Sequence, residues 1–249
     1  MSDQLVLRSD ADGVATLTLN RPEKLNALTP EVFMQLRGHV DDLASDPSVG
    51  CVVLTGAGRS FCAGNDLGGI ASGSRPPSRH YQAETIDALE RLPMPTIGKI
   101  RGHCFTGGLE LALGCDLLVA ADGAQLGDTH GQWGLVASWG MTVRFPERVG
   151  RARAKELMFT ARRIGGARAA EIGLVNLAVP DDELDATVDA LAAEIVANSW
   201  DTSRFDKAIL FDAKDMDRAG ALAYERSAPY GRPRDMEERM ARSSGSKKG

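Results

Sequence analysis

Cysteine is scarce in this chain of 249 residues: Cys51, Cys62, Cys104 and Cys115 form no C-x-x-C pair and no zinc-ligand spacing. The four thiols therefore read as small, buried, apolar residues kept reduced. With no charged-then-apolar leader at the start of the chain, that points to the cytoplasm. No apolar run is long enough to span a bilayer. Basic charge is also short, with 29 Lys and Arg against 34 Asp and Glu and a net charge of −5. That balance argues against non-specific affinity for nucleic acid or anionic membrane, while leaving room for a local basic pocket for an anionic small molecule. No internal repeat of fixed period is visible.

Several familiar motifs are missing too. A dinucleotide-binding turn needs G-x-G-x-x-G after a strand; Gly56-Ala57-Gly58 starts one, but Phe61 stands where the third glycine belongs. No G-K-[ST] closes a phosphate-binding loop. Around Ser138 the sequence VASWG has Val136 in place of the first glycine of a nucleophile elbow. Asp128 and His130 lack the further ligands that a metal site requires, so none is expected.

What is present is an ordinary globular composition, 43% hydrophobic and 25% charged, with ample material for a core. Residues 4–19 read as a hairpin, QLVL and VATLTLN about the turn SDADG. Thr29 and Pro30 start a helix that carries Val32, Leu36, Val40 and Leu43 on one face. CVVLT (51–55) is a buried-type strand. GGIASGSRPPSR (68–79) is a surface loop, a helix follows near 80–92, then strands near 96–101 and at CDLLVAA. From about residue 139 the pattern is helical, with one strand-like stretch at VNLAV. Strands alternating with helices, then helices alone, indicate an α/β fold with a helical second part.

Two glycine turns remain unexplained by packing: FCAGND (61–66), after a strand, and TGGLE (106–110), at a helix start. Thr106 is the expected N-cap and Gly107 the first helical residue, with an unspent N–H. Two such amides could hold a carbonyl oxygen as it becomes an oxyanion, at roughly 3 kcal/mol per donor. Glu110 lies one turn further on, among apolar residues. It is either an acid/base group or a carboxylate that complements the helix dipole, as in a capping box. The box places its acid three residues after the cap, and Glu110 is four after Thr106.

The segments NRPEKLNAL (20–28), VVLTGAGRSFCAGNDL (52–67), GHCFTGGLELALGCDLLVAAD (102–122) and AAEIGLVNLAVPDDEL (169–184) together resemble the crotonase, or enoyl-CoA hydratase/isomerase, superfamily. They fall in its order and spacing over about residues 5–200. The resemblance implies an α/β spiral of ββα repeats over 1–195 and a C-terminal helical trimerisation region over 196–249, with trimers often paired into hexamers. It implies an acyl-coenzyme A thioester as ligand and no separate cofactor. Asn65 and Gly107 map onto the oxyanion hole; only their backbone N–H groups are used, so Asn at 65 is tolerable. Lys24, Leu25, Ala27, Ala63, Asp66 and Leu67 would line the coenzyme A path.

Glu110 matches the first of two acid/base glutamates that family hydratases use. The second glutamate's position falls on His130, which can also exchange protons near neutral pH. SWGMT (138–142) replaces a small-residue P-G-x-G-G-T pattern, so Trp139 would reshape the acyl pocket or pack in the core. The resemblance implies syn hydration of a 2-enoyl-CoA, or the reverse dehydration, with double-bond isomerisation or a binding-only role as the alternatives. His103 reads as packing. The run Arg144, Arg148, Arg151 and Arg153 reads as a solvated face, or as a contact for ligand phosphates or a neighbouring subunit.

Overall fold

The computed structural model describes residues 4–66 and 75–245. The hairpin is β1 (Val6–Ala11) and β2 (Val14–Leu19), joined by Asp12 and Gly13 at φ 51° and 79°. Positive φ at both central residues matches the twist of the flanking strands. Along β2 the alternation holds: Ala15, Leu17 and Leu19 are buried and the threonines between them half-buried. Thr29 caps α1 (Pro30–Ala44), its hydroxyl accepting from the Val32 N–H at 3.3 Å, and the predicted apolar face is buried throughout. Burying each such Leu or Val is worth about 1.5–3 kcal/mol.

A six-stranded sheet runs β1-β2-β3-β4-β6-β9. Beyond the hairpin it comprises β3 (Cys51–Gly56), β4 (Thr96–Ile100), β6 (Leu117–Ala121) and β9 (Leu177–Val179), all parallel to their neighbours from β2 onward. Cys51, Val52, Val53 and Leu54 are all buried, the continuous apolar signature of a strand covered on both faces. A second, three-stranded sheet is β5 (His103–Phe105), β7 (Gln125–Gly127) and β8 (Ile164–Gly165), ordered β5-β7-β8. Consecutive strands β4 and β5, then β6 and β7, go to different sheets, which is the expected ββα spiral. The short strands of the small sheet leave no mark in the sequence, because two or three residues carry no period.

The helices follow in order: α2 (Tyr81–Glu90), α3 (Gly107–Ala112), α4 (Met141–Val149), α5 (Arg151–Thr160), α6 (Gly166–Glu171) and α7 (Leu184–Ala197). Beyond them come α8 (Trp200–Ala213), α9 (Arg218–Arg226) and α10 (Met236–Gly245). Helix α7 packs across β2, β3, β4 and β6. The loop expected over 68–79 lies largely outside the described residues; residues 77–80 are bend and turn.

Helix α8 is tied to the core by polar bonds. Asp116 accepts from Lys207 Nζ at 2.6 Å and from the Thr96 N–H at 2.7 Å, and Arg204 donates to the Val49 carbonyl at 2.9 Å. The Trp200 indole lies over two glycines: a Cβ built on Gly13 would meet Cζ2 at 2.7 Å, and one on Gly50 would meet Cε2 and Cδ2. Gly50→Ala is therefore expected to cost about 1–3 kcal/mol in urea unfolding, through overpacking alone. Most of that cost should vanish in a Trp200→Ala background, where the obstruction is gone.

Candidate active site

The two glycine turns meet through backbone pairing. Cys62 and Cys104 form a parallel bridge, with the Cys62 N–H donating to the His103 carbonyl at 2.8 Å and the Phe105 N–H to the Cys62 carbonyl at 3.1 Å. Gly64, at φ 108°, then passes so close that an added Cβ would lie 3.0 Å from the Phe105 oxygen and 3.7 Å from the Gly107 nitrogen. Only glycine combines that φ with that approach.

On the other side, Leu28 brackets Asn65: its N–H donates to the Gly64 carbonyl and its carbonyl accepts from the Asp66 N–H, both at 2.8 Å. In a parallel ladder this pattern turns the Asn65 N–H away from Leu28. Among the described residues neither the Asn65 nor the Gly107 amide has a hydrogen-bond acceptor. The two predicted oxyanion donors are thus neighbours, with both N–H groups unspent.

Thr106 departs from expectation. It occupies the N-cap position of α3, yet at φ 52°, ψ −116° its hydroxyl makes no cap bond. It points instead to the Thr129 hydroxyl at 2.6 Å, while its N–H donates to the Gly127 carbonyl at 3.0 Å. A non-glycine residue at positive φ stores strain that its surroundings must enforce. Here the surroundings are Gly127, at the end of β7, and Thr129, the residue before His130.

Glu110 is 1% exposed. Its carboxylate does not turn back to the helix start, which disposes of the capping-box alternative. Oε1 accepts from the N–H groups of Trp139 at 2.8 Å and Met141 at 3.2 Å, and Oε2 lies 3.6 Å from His130 Nε2. The Trp139 peptide is held from behind: Arg144 Nη1 donates to its carbonyl at 3.0 Å, and Arg144 Nη2 is gripped by Asp87 at 2.6 Å and Glu90 at 2.7 Å. Burial pushes the Glu110 carboxyl above the usual carboxylate range, against the pull of the Trp139 and Met141 amides and of His130. Burial alone would lower the His130 imidazole, but the Asp128 hydrogen bond and the nearby carboxylates outweigh it and hold it above its ordinary value.

Trp139 has a double role. Its N–H binds Glu110, while its ring packs edge-on to Phe33 with centroids 5.1 Å apart. A Cβ on Gly107 would lie 2.5 Å from Trp139 Cζ3, so the indole lies directly over the first turn of α3. The basic run does not form one solvated face. Arg144 is buried, and Arg148 donates to the carbonyls of Cys115 at 2.7 Å and Asp116 at 3.0 Å; only Arg151 and Arg153 are exposed. The inward pair answers charged and carbonyl partners that periodicity cannot reveal. His103 packs edge-on to Phe105 and shares a hydrogen bond with Ser60 at 2.8 Å.

The predicted ligand-lining segments lie side by side. The Ala63 N–H donates to the Leu25 carbonyl at 2.9 Å, and Arg21 ties the Ala27 carbonyl (2.6 Å) to the Asp66 carboxylate (3.0 Å). Leu25 and Asn26 take positive φ, and the Asn26 side chain bonds the Ala57 and Ser60 carbonyls, fastening this turn to the glycine loop. Lys24 is exposed beside it. Leu67 lies outside the described residues. Asp128, Arg144 and Arg21 join this constellation without having been singled out for it by sequence; only the Asp128–His130 spacing carried a signal.

Among the described residues no cluster of three or more His, Cys, Asp or Glu has metal-binding geometry, and no helix is long and apolar enough to cross a membrane. A cavity of about 490 Å³ is lined by Glu90, Pro95, Leu117, Ile195, Leu210 and Phe211. Neither Glu110 nor His130 lines it.

The chain as a whole is similar to known proteins. A family model described as enoyl-CoA hydratase/isomerase matches residues 9–241. The probable peroxisomal enoyl-CoA hydratase 1 of Arabidopsis thaliana is 33% identical over 92% of this chain and 87% of its own length. A crotonyl-CoA hydratase of Syntrophomonas wolfei is 31% identical over 92% and 89%. The crystal structure of an enoyl-CoA hydratase from Bacillus anthracis superposes with a TM-score of 0.86 at 33% identity, covering 90% of this chain and 89% of that one.

The Gly64 crossing gives a direct check. Gly64→Ala is expected to cost about 2 kcal/mol or more, read as a lowered midpoint in thermal unfolding, because it adds positive-φ strain to a backbone contact. A wild-type midpoint would refute the close approach.

Proposed function

This chain belongs to the enoyl-CoA hydratase/isomerase family, and from that premise we propose that it adds water across the double bond of a 2-enoyl-CoA, or removes it in reverse. The observation that carries the reading is the buried Glu110 and the half-buried His130, 3.6 Å apart, beside two unspent amides. The Asn65 and Gly107 N–H groups take the thioester oxygen. The Glu110 carboxylate accepts a proton from water as its oxygen bonds to C3, and the π electrons move onto the thioester oxygen as an enolate. The protonated Nε2 of His130 then gives its proton to C2 on the same face, completing a syn addition. Glu110 returns its proton to His130, and the pair is restored. Every bond formed is matched by one broken, and no further cofactor enters.

Lys24, Leu25, Ala27, Ala63 and Asp66 line the coenzyme A path in this proposal, and Trp139 bounds the acyl pocket. The pairing of the Leu25–Leu28 and Ala63–Asp66 segments supports the first role, and the indole over Gly107 supports the second. A core over 1–195, a C-terminal helical region over 196–249 and assembly as a trimer or hexamer belong to the same reading. Exposed apolar side chains such as Phe159, at 81%, and Leu210, at 75%, support burial against further copies. Four free, buried cysteines accord with a reducing compartment such as the cytoplasm.

Incubation with crotonyl-CoA should bleach the ultraviolet absorbance of the conjugated thioester. Glu110→Gln should cut kcat by about 10²- to 10⁴-fold, the range of general acid–base catalysis, with ligand affinity nearly unchanged. Binding without bleaching by the wild type would defeat the hydratase reading.

The pH profile follows from the directions of the shifts. Rising pH first ionises Glu110, above the ordinary carboxylate value of about 4.3, and the rate climbs. Further rise strips His130 of the proton it must donate, above the ordinary imidazole value of about 6.5, and the rate falls. His130→Gln should abolish the alkaline limb; an unchanged limb would remove His130 from the chemistry.

A further inference from the structure

We propose that Asp128 is a positioning residue, which holds His130 through Nδ1–H so that Nε2 faces Glu110, and that Asp128, His130 and Glu110 act as one row sharing protons. The inference rests on the acid/base reading of His130 and Glu110 given above.

Asp128 is 3% exposed, and its Oδ1 accepts from both the backbone N–H of His130 at 3.1 Å and the ring Nδ1 at 2.6 Å. Two bonds from one residue to one oxygen fix the ring plane as well as its proton. A carboxylate oxygen can only accept, so Nδ1 carries hydrogen. Nε2 is then the nitrogen that gains and loses the exchangeable proton, and it is the nitrogen 3.6 Å from Glu110 Oε2.

The anchor itself is buried and its chain neighbour is tied down. Asp128 follows β7, and its neighbour Thr129, 4% exposed, is bonded to the Thr106 hydroxyl at 2.6 Å. Thr106 precedes Gly107, so the oxyanion turn and the imidazole share one support. A histidine without such a partner distributes its proton between two tautomers and turns about two side-chain torsions. With Asp128 it presents a single nitrogen. The titratable groups acting on His130 among the described residues are Glu110, from α3, and Asp128 itself. Between two carboxylates the imidazolium is favoured, which suits a ring that must donate a proton at neutral pH and recover it from Glu110.

Asp128→Asn tests this, because the amide keeps the shape and removes the charge. The first readout needs no turnover: the His130 ring is followed by NMR pH titration of the whole protein, its signal assigned by its loss in His130→Gln. Asp128→Asn should lower the titration midpoint of His130 by about one unit or more, given one lost carboxylate neighbour. The second readout is kinetic, with crotonyl-CoA. Asp128→Asn should lower kcat roughly tenfold or more with KM little changed, and move the alkaline limb to lower pH. In a His130→Gln background the same substitution should change kcat hardly at all.

An unmoved His130 titration in Asp128→Asn would overturn the proposal, as would an equal loss of kcat with and without His130, which is the mark of a structural role. Absence of crotonyl-CoA turnover in the wild type would instead count against the hydratase reading, and the NMR titration would still decide the role of Asp128.

Discussion

Burial of the Glu110 carboxylate is the constraint around which the site is built. A charge at 1% exposure is costly unless its lone pairs are met. The protein meets them with two peptide N–H groups and an imidazole, none of which lies on its own helix. To supply the peptides, residues 139–141 must run past α3 at hydrogen-bonding distance. Arg144 holds them there, gripping the Trp139 carbonyl while Asp87 and Glu90 hold its own charge. To supply the imidazole, the end of β7 must turn toward α3, and Thr106 and Thr129 bond across that turn. Loops far apart in sequence are therefore fixed by the need to keep one carboxylate solvated in a dry place.

The same packing leaves two amides unsolvated by protein. Gly64 and Gly107 allow the backbones of two turns to approach without side chains between them, and the parallel bridge at Leu28 directs the Asn65 N–H away from its own ladder. Unspent donors beside a perturbed acid and base are the arrangement from which the proposed oxyanion role is argued. Trp139 shows how economically the space is used. Its backbone serves the carboxylate, and its ring covers Gly107 and leans on Phe33.

Much of the fold was legible beforehand because it obeys local periods. The alternation of β2, the apolar stripe of α1 behind its Thr29 cap and the continuous apolar run of β3 each follow from burial of one face or two. The small sheet was not legible, since His103–Phe105, Gln125–Gly127 and Ile164–Gly165 exist only through their pairing. At the site, Gly107 and Glu110 stood out by chemistry, as free glycine and isolated charge. In sequence Arg144 reads as part of a solvated face, because a buried guanidinium is recognisable only with its carboxylates in view.

By itself the sequence determined the elements and their order, the two glycine turns, and the presence of an acid at 110 and a histidine at 130. Those are properties of residues and their near neighbours. Tertiary structure alone decided where the Glu110 carboxylate points, that Thr106 braces rather than caps, and that Asp128 stands behind His130. Each of these depends on a partner's direction as well as its identity. Hydrogen bonds between residues 20 or 30 positions apart form only after the sheets have set the loops face to face.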